Sequence, residues 1–181
     1  LGIALAIIFL GLIISSIFIT GKNAFKITAI NVDVYFDPNI IDPKNEKNLE
    51  TIKNANFRTI IKESILKKFP NVKKRRDIID LIDVISSSEE ENLMNIIIND
   101  PKIIGEEISL WLLASSKYDV IHKNPEMELY PEQDRLISDK ELGWYKKLKE
   151  NNELKFIFNK NFFTSADSTE PEQAGIWGAF M

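Results

Sequence analysis

The sequence contains no cysteine and a single histidine, His122. The first absence removes disulfides, thiolate nucleophiles and cysteine-based zinc sites together, and leaves the compartment open. The second leaves any zinc site with carboxylates for all its other protein ligands, without the usual nitrogen and sulfur partners. Glycine is scarce, seven of 181 residues, and none stands in a GxxxxGK[ST] or GxGxxG arrangement, so no phosphate-cradling loop is expected. Positive charge is not in excess either. The 23 Lys and Arg against 27 Asp and Glu give a net charge of -4, which offers nucleic acid no basic face. The one basic run, Lys73, Lys74, Arg75 and Arg76, reads as a solvated helix end. No cofactor, no metal and no catalytic residue is expected.

Charge is missing altogether from Leu1 to Thr20, LGIALAIIFLGLIISSIFIT. A helix rises about 1.5 Å per residue, so about twenty apolar residues cross a hydrocarbon core of about 30 Å. Signal-peptide apolar regions run about 7 to 15 residues, so length favours a retained transmembrane helix over a cleaved signal or a buried core helix. Gly2, Gly11 and Ser15 are small residues that would let another membrane helix approach closely, the alternative being a single lipid-facing anchor. Both ends look cut: Leu1 is already inside the apolar run, and AGIWGAFM turns apolar from Ala174 as if opening a second hydrophobic segment. Lys22 and Lys26 argue slightly against an outward-facing domain.

Beyond the span, KITAINVDVYF alternates Ile30, Val32, Val34 and Phe36 with Asn31, Asp33 and Tyr35, the period of a half-buried strand. Helical spacing is expected from Glu50 to Phe69, ended by Pro70, and again from Arg75 or Arg76 to Ile85. Ser88 and Glu91 fit a capping box before Leu93, Ile96 and Ile97. Asp100-Pro101 offers another helix start, with LWLLASS carrying the register to Ser116 although Gly105 interrupts it. YDVIHKNPEMELYPEQDRL, with two prolines, reads as a loop or short extended pieces. Ser138 and Glu141 predict a capped helix from Asp139 to about Glu150 that buries Leu142, Tyr145 and Leu148, and LKFIFN a short strand paired with the first. The fold class is α+β, mostly helical: an N-terminal transmembrane helix (1–20), a small extracytoplasmic domain with a short sheet (21–160), and a re-entry segment (161–181).

Chemistry is sparse. Ser115 or Ser116, His122 and Asp119 could formally make a triad, but no nucleophile-elbow glycines surround either serine. Glu89, Glu90 and Glu91 read as acidic residues complementing a helix dipole. Aromatics gather near both ends, Phe25 and Phe36 early, Phe156, Phe158, Phe162, Phe163 and Trp177 late. They suit a bilayer interface or an ordinary core, and both readings stay open. The most specific stretch is FNKNFFTSADSTEPEQAGIWGAF. Phe162 and Phe163 precede turn and cap residues Asp167 and Ser168, Pro171 and Glu172 suit a first helical turn, and Gly175 opens the apolar end. It reads as a helix entry aimed at the membrane.

That stretch, with GKNAFKITAINVDVYFDP, the helix ending in KKFP and NDPKIIGEEISLWLLASSKYD, resembles the N-terminal region of the PstA-type permease of phosphate ABC transporters, in the long form that carries an extra domain between its first two spans. The resemblance covers nearly the whole chain. It implies a multi-pass protein of the bacterial inner membrane with residues 21–160 periplasmic. The implied partners are a homologous permease subunit, cytoplasmic ATPase subunits, a periplasmic phosphate-binding protein and the lipid bilayer. ATP-driven phosphate import would belong to the assembly, and the phosphate pathway to residues beyond Met181. The alternative is an extracytoplasmic sensor domain held between two spans of a membrane receptor. A membrane-anchored hydrolase, resting on His122, is a third reading.

Overall fold

The computed structural model describes residues 2–46 and 48–159, apart from the side chains of Ala4, Phe18, Thr20, Lys22 and Ala24. In chain order the elements are α1 (Gly2–Gly21), β1 (Lys26–Tyr35), α2 (Pro38–Ile41), α3 (Leu49–Lys53), α4 (Phe57–Lys68), α5 (Arg75–Ile82), α6 (Glu89–Asn99), β2 (Glu107–Leu113), α7 (Ser116–Lys123), α8 (Asp139–Glu150) and β3 (Leu154–Phe158). One-turn 3-10 segments lie at Lys22–Phe25, Pro101–Ile103, Pro125–Leu129 and Glu132–Asp134. The architecture is mostly helical α+β around a three-stranded antiparallel sheet of order β2-β1-β3.

Period-two patterning puts β1 where expected, and its position as the central strand explains its burial. Ile30, Val32, Val34 and Phe36 are at most 1% exposed, while Asp33 and Tyr35 on the other side meet solvent. The buried side joins Leu112 of β2, Ile60, Ile61 and Ile65 of α4, Leu81 of α5, Leu93 and Ile97 of α6, Ile121 of α7 and Leu142 and Leu148 of α8 in one cluster. Each such side chain removed from water contributes about 1.5–3 kcal/mol. The opposite side of the sheet is polar and aromatic: Asn31 bonds Ser109 across β1 and β2, and the Lys155 ammonium sits 3.7 Å from the centre of the Trp111 ring.

Several expected elements take another form. The helix expected from Asp100-Pro101 stops after one 3-10 turn. Gly105 then adopts φ +95°, a left-handed conformation that side chains resist, and Ile108, Leu110 and Leu112 continue with period two as β2. The expected helix Glu50–Phe69 is two, because Asn54 ends α3 and the Asn56 side chain accepts from Thr59 N to start α4. α5 ends at Ile82, and Ile85 instead bridges Ala114 beside the sheet. The Ser88–Glu91 box does not form: Ser88 already has helical dihedrals, and its hydroxyl pairs with that of Ser86 at 2.8 Å. The expected loop after Ser116 contains α7, whose Tyr118 and Ile121 are buried one turn apart and whose Asp119 and Lys123 form an i,i+4 ion pair at 2.6 Å.

The Ser138–Glu141 box is made in both directions, and α8 buries Leu142, Trp144, Tyr145 and Leu148 before Asn152 turns the chain at φ 57° into β3. Ser138→Ala should therefore cost about 1 kcal/mol and lower the thermal midpoint by about 2–4 °C. Ser88→Ala should cost less, because no backbone N–H loses a partner. Thermal unfolding of both variants, followed by circular dichroism, distinguishes the two serines.

Candidate functional site

All three strands finish or start at the end from which β1 leaves α1: Lys26 faces Phe158 of β3, and Ala29 faces Leu113, the last residue of β2. Beyond Leu113 the backbone of Thr28 has no strand partner for its N–H on that side. The Asp119 carboxylate of α7 takes the place of the missing strand, accepting from both Thr28 N and Thr28 Oγ1 at 2.8 Å. Its other oxygen accepts from Lys123 at 2.6 Å, and both side chains are largely buried.

One turn later His122 lies with its ring centre 4.5 Å from that of Phe156 and its Nδ1 3.1 Å from the Tyr145 hydroxyl. That hydroxyl donates to Glu128 Oε1 at 3.3 Å, which also accepts from Lys149 at 2.6 Å. A hydroxyl committed to Glu128 accepts from His122, which puts the imidazole proton on Nδ1. Burial, and then the nearby Lys149, hold the His122 pKa below its ordinary value against the pull of Asp119 and Glu128. Burial and the Glu128 carboxylate push Tyr145 upward, and burial does the same for Tyr118, whose hydroxyl has no hydrogen-bond partner among the described residues.

These groups tie α7, α8 and the segment after α7 to one another and to the sheet. Ser115 Oγ donates to the Asp83 carbonyl at 2.7 Å, while His122 Nδ1 faces Tyr145 and Asp119 is engaged by Thr28 and Lys123, so among the described residues the His122–Asp119 pairing that the formal triad needs with either Ser115 or Ser116 is not made. Among the described residues no group of three or more His, Cys, Asp or Glu could hold a metal ion. Glu89, Glu90 and Glu91 stand in the first turn of α6, as the dipole reading expects, and Glu89 does more. It is 2% exposed, accepts from Asn92 at 2.7 Å and from the Leu113 N–H, and burial raises its pKa. Nothing in the run of three glutamates marked it out; only the packing of α6 against the end of β2 does. Lys73 to Arg76 are exposed at the start of α5, as expected of a solvated helix end.

On α1, Gly11 and Ser15 are one turn apart on one face, whereas Gly2, nine residues before Gly11, falls about opposite. Among the described residues nothing apart from the helix's own backbone and the chain neighbours lies within 4 Å of where a side chain on Gly2 or Gly11 would begin. The expected re-entry residues Phe162, Phe163, Asp167, Ser168, Pro171, Glu172 and Gly175 lie outside the described residues. At the far end of the sheet, a surface cavity of about 420 Å³ is lined by Pro38, Asp42, Asn45, Ile52, Pro101, Lys102 and Ile104.

A family model described as a domain of unknown function (DUF3333) matches residues 1–132. The chain belongs to this family. The matched residues run from α1 through α7 and contain two of the three strands; α8 and β3, which complete the sheet and the core, follow them. No curated protein and no solved structure matches the chain.

The lowered His122 pKa has a definite sign. A histidine held neutral in the folded state costs nothing above its unfolded value of about 6.5 and destabilises progressively as pH falls below it, until the folded pKa is passed. Between pH 7.5 and 5.5 the wild type should lose more stability than His122→Gln. The difference between their urea midpoints isolates this group from Glu89 and the other carboxylates.

Proposed function

We propose that this chain is the N-terminal part of a phosphate ABC transporter permease subunit. α1 is its first membrane span, residues 21–160 form an excursion into the periplasm, and residues 161–181 lead into the permease core of the bacterial inner membrane. Among the described residues no helix is long and apolar enough to cross a membrane. The spanning assignment rests on the complete charge-free run and on α1 being twenty residues, about 30 Å. Its eleven large apolar side chains between Ile3 and Ile19 whose exposure is described are 47–80% exposed. Leaving them in water forgoes on the order of 20 kcal/mol, which a bilayer would recover.

The observation that carries the reading is the way in and out of the domain. Lys26 and Phe158 are antiparallel partners, and Asn159 N donates to the Phe25 carbonyl at 3.0 Å, so the chain leaves beside the point where it entered. An insertion between two consecutive spans needs this geometry. A two-span receptor needs it too, and the resemblance of residues 158–180 to the permease family favours the transporter. Phosphate import would be the work of the assembly, in which this domain contacts the phosphate-binding protein or the partner permease and catalyses nothing.

Ser87→Cys and Lys44→Cys, introduced separately into a full-length protein otherwise free of cysteine, should react with a membrane-impermeant maleimide once the outer membrane is opened. Protection of both until the inner membrane is broken would overturn the periplasmic placement. In the reconstituted transporter, replacing residues 38–153 by a short linker should abolish stimulation of ATP hydrolysis by the binding protein while leaving basal hydrolysis. Unchanged stimulation would remove the contact role.

A further inference from the structure

We propose that the end of the domain next to α1 rests on the headgroup layer of a zwitterionic phospholipid membrane, with Leu129, Tyr130, Phe156 and Phe158 as the side chains that enter it. This rests on the reading of α1 as a span and gives the domain a second, peripheral attachment to the same bilayer.

Reach comes first. Between the end of α1 at Gly21 and the first strand residue, Lys26, there is one 3-10 turn of four residues, which advances about 8 Å at about 2 Å per residue. The headgroup layer on each side of a bilayer is about 5–8 Å thick, taking the full thickness less the hydrocarbon core. The base of the sheet therefore begins at about the outer edge of the headgroup layer, within reach of a side chain that points back toward the bilayer. Phe158, 60% exposed, and Phe156, 41%, lie at this end of β3, and Leu129, 87% exposed, and Tyr130, 45%, lie on the segment that follows Glu128.

These residues belong to one structure. Phe156 packs against His122 with the ring planes tilted by 38° and lies 5.7 Å beneath the Lys26 ammonium, and Phe158 faces Lys26 across β3 and β1. Leu129 and Tyr130 directly follow Glu128, which Tyr145 and Lys149 tie to His122. Tyrosine, with an apolar body and a polar tip, and lysine, with a long apolar stem, are side chains that suit the headgroup level.

Charge selects the lipid. Glu126, Glu132 and Asp134 on the same segment are exposed and form no ion pair among the described residues, and they outnumber Lys26, the exposed cation over Phe156. They would be repelled by anionic headgroups and attracted by the outward ammonium of choline or ethanolamine.

The test places single nitroxide labels on the full chain in phosphatidylcholine–phosphatidylethanolamine nanodiscs, using Leu129→Cys, Tyr130→Cys, Ile8→Cys within α1 and Lys44→Cys at the other end of β1. Collision with oxygen, which prefers lipid, and with a water-soluble nickel chelate is then compared. The oxygen-to-nickel ratio at Leu129 and Tyr130 should be several-fold above that at Lys44 and should not rise when phosphatidylglycerol is added. A lipid-like Ile8 with Leu129 and Tyr130 as aqueous as Lys44 would overturn this attachment and leave the span standing, whereas an aqueous Ile8 would overturn both. Labels shielded from both reagents would mean a protein covers the patch, and a ratio rising only with phosphatidylglycerol would mean an anionic lipid does; each overturns the proposal.

Discussion

The pairing of β1 on both of its edges is the interaction on which the rest of the structure depends. It meets β2 over residues 29–35 and β3 over residues 26–30, so its backbone donors and acceptors are satisfied by segments about 80 and 125 residues away in sequence. A central strand of this kind can be buried on both faces, as Ile27 to Ile30 are, without leaving polar groups unpaired. The helices then have an apolar surface to cover. Because β1 follows α1 after a single turn, the same strand fixes the orientation of the sheet to the chain's entry, and antiparallel β3 returns the chain to that point.

Where the sheet runs out, side chains continue it. Asp119 supplies the acceptor that β2 no longer offers Thr28, and in doing so sets α7 across the base of the domain. His122, Tyr145, Glu128 and Lys149 follow from that placement and tie α7, α8 and the segment after α7 into one network. The cost is a half-buried imidazole whose charged form is disfavoured.

Ion pairs elsewhere position elements more than they stabilise them. Lys140 bridges Asp77 at 2.8 Å and Asp80 at 2.7 Å, joining α8 to α5, and Lys67 reaches Glu107, joining α4 to β2. Exposed pairs contribute about 0–1 kcal/mol each, so the apolar cluster carries the stability and the charges fix which helix faces which. Lys117 does more for Glu141. Burial raises that carboxyl, but hydrogen bonds from Lys117 and Ser138 outweigh it and hold the pKa below its ordinary value.

Local pattern determined the pieces whose reasons are local. The alternation of β1, the capping box and apolar face of α8, the short strand β3 and the charge-free run of α1 all follow from residues within a few positions of one another. Only the tertiary structure decided the pieces whose partners are far away. EISLWLL has enough leucine and isoleucine for either a helix or a strand, and becomes β2 because β1 is there to pair with it after Gly105 turns the chain. The segment from Ser116 to Lys123 is helical because Asp119 must reach Thr28, and Glu89 is buried while Glu91 is exposed because α6 meets the end of β2. Composition excluded cysteine chemistry, but the bonds of His122 and Asp119 to other groups, visible only in the fold, left the formal triad unassembled. Hydrogen bonds and burial between distant segments are properties of the assembled molecule, and no window of sequence contains both partners.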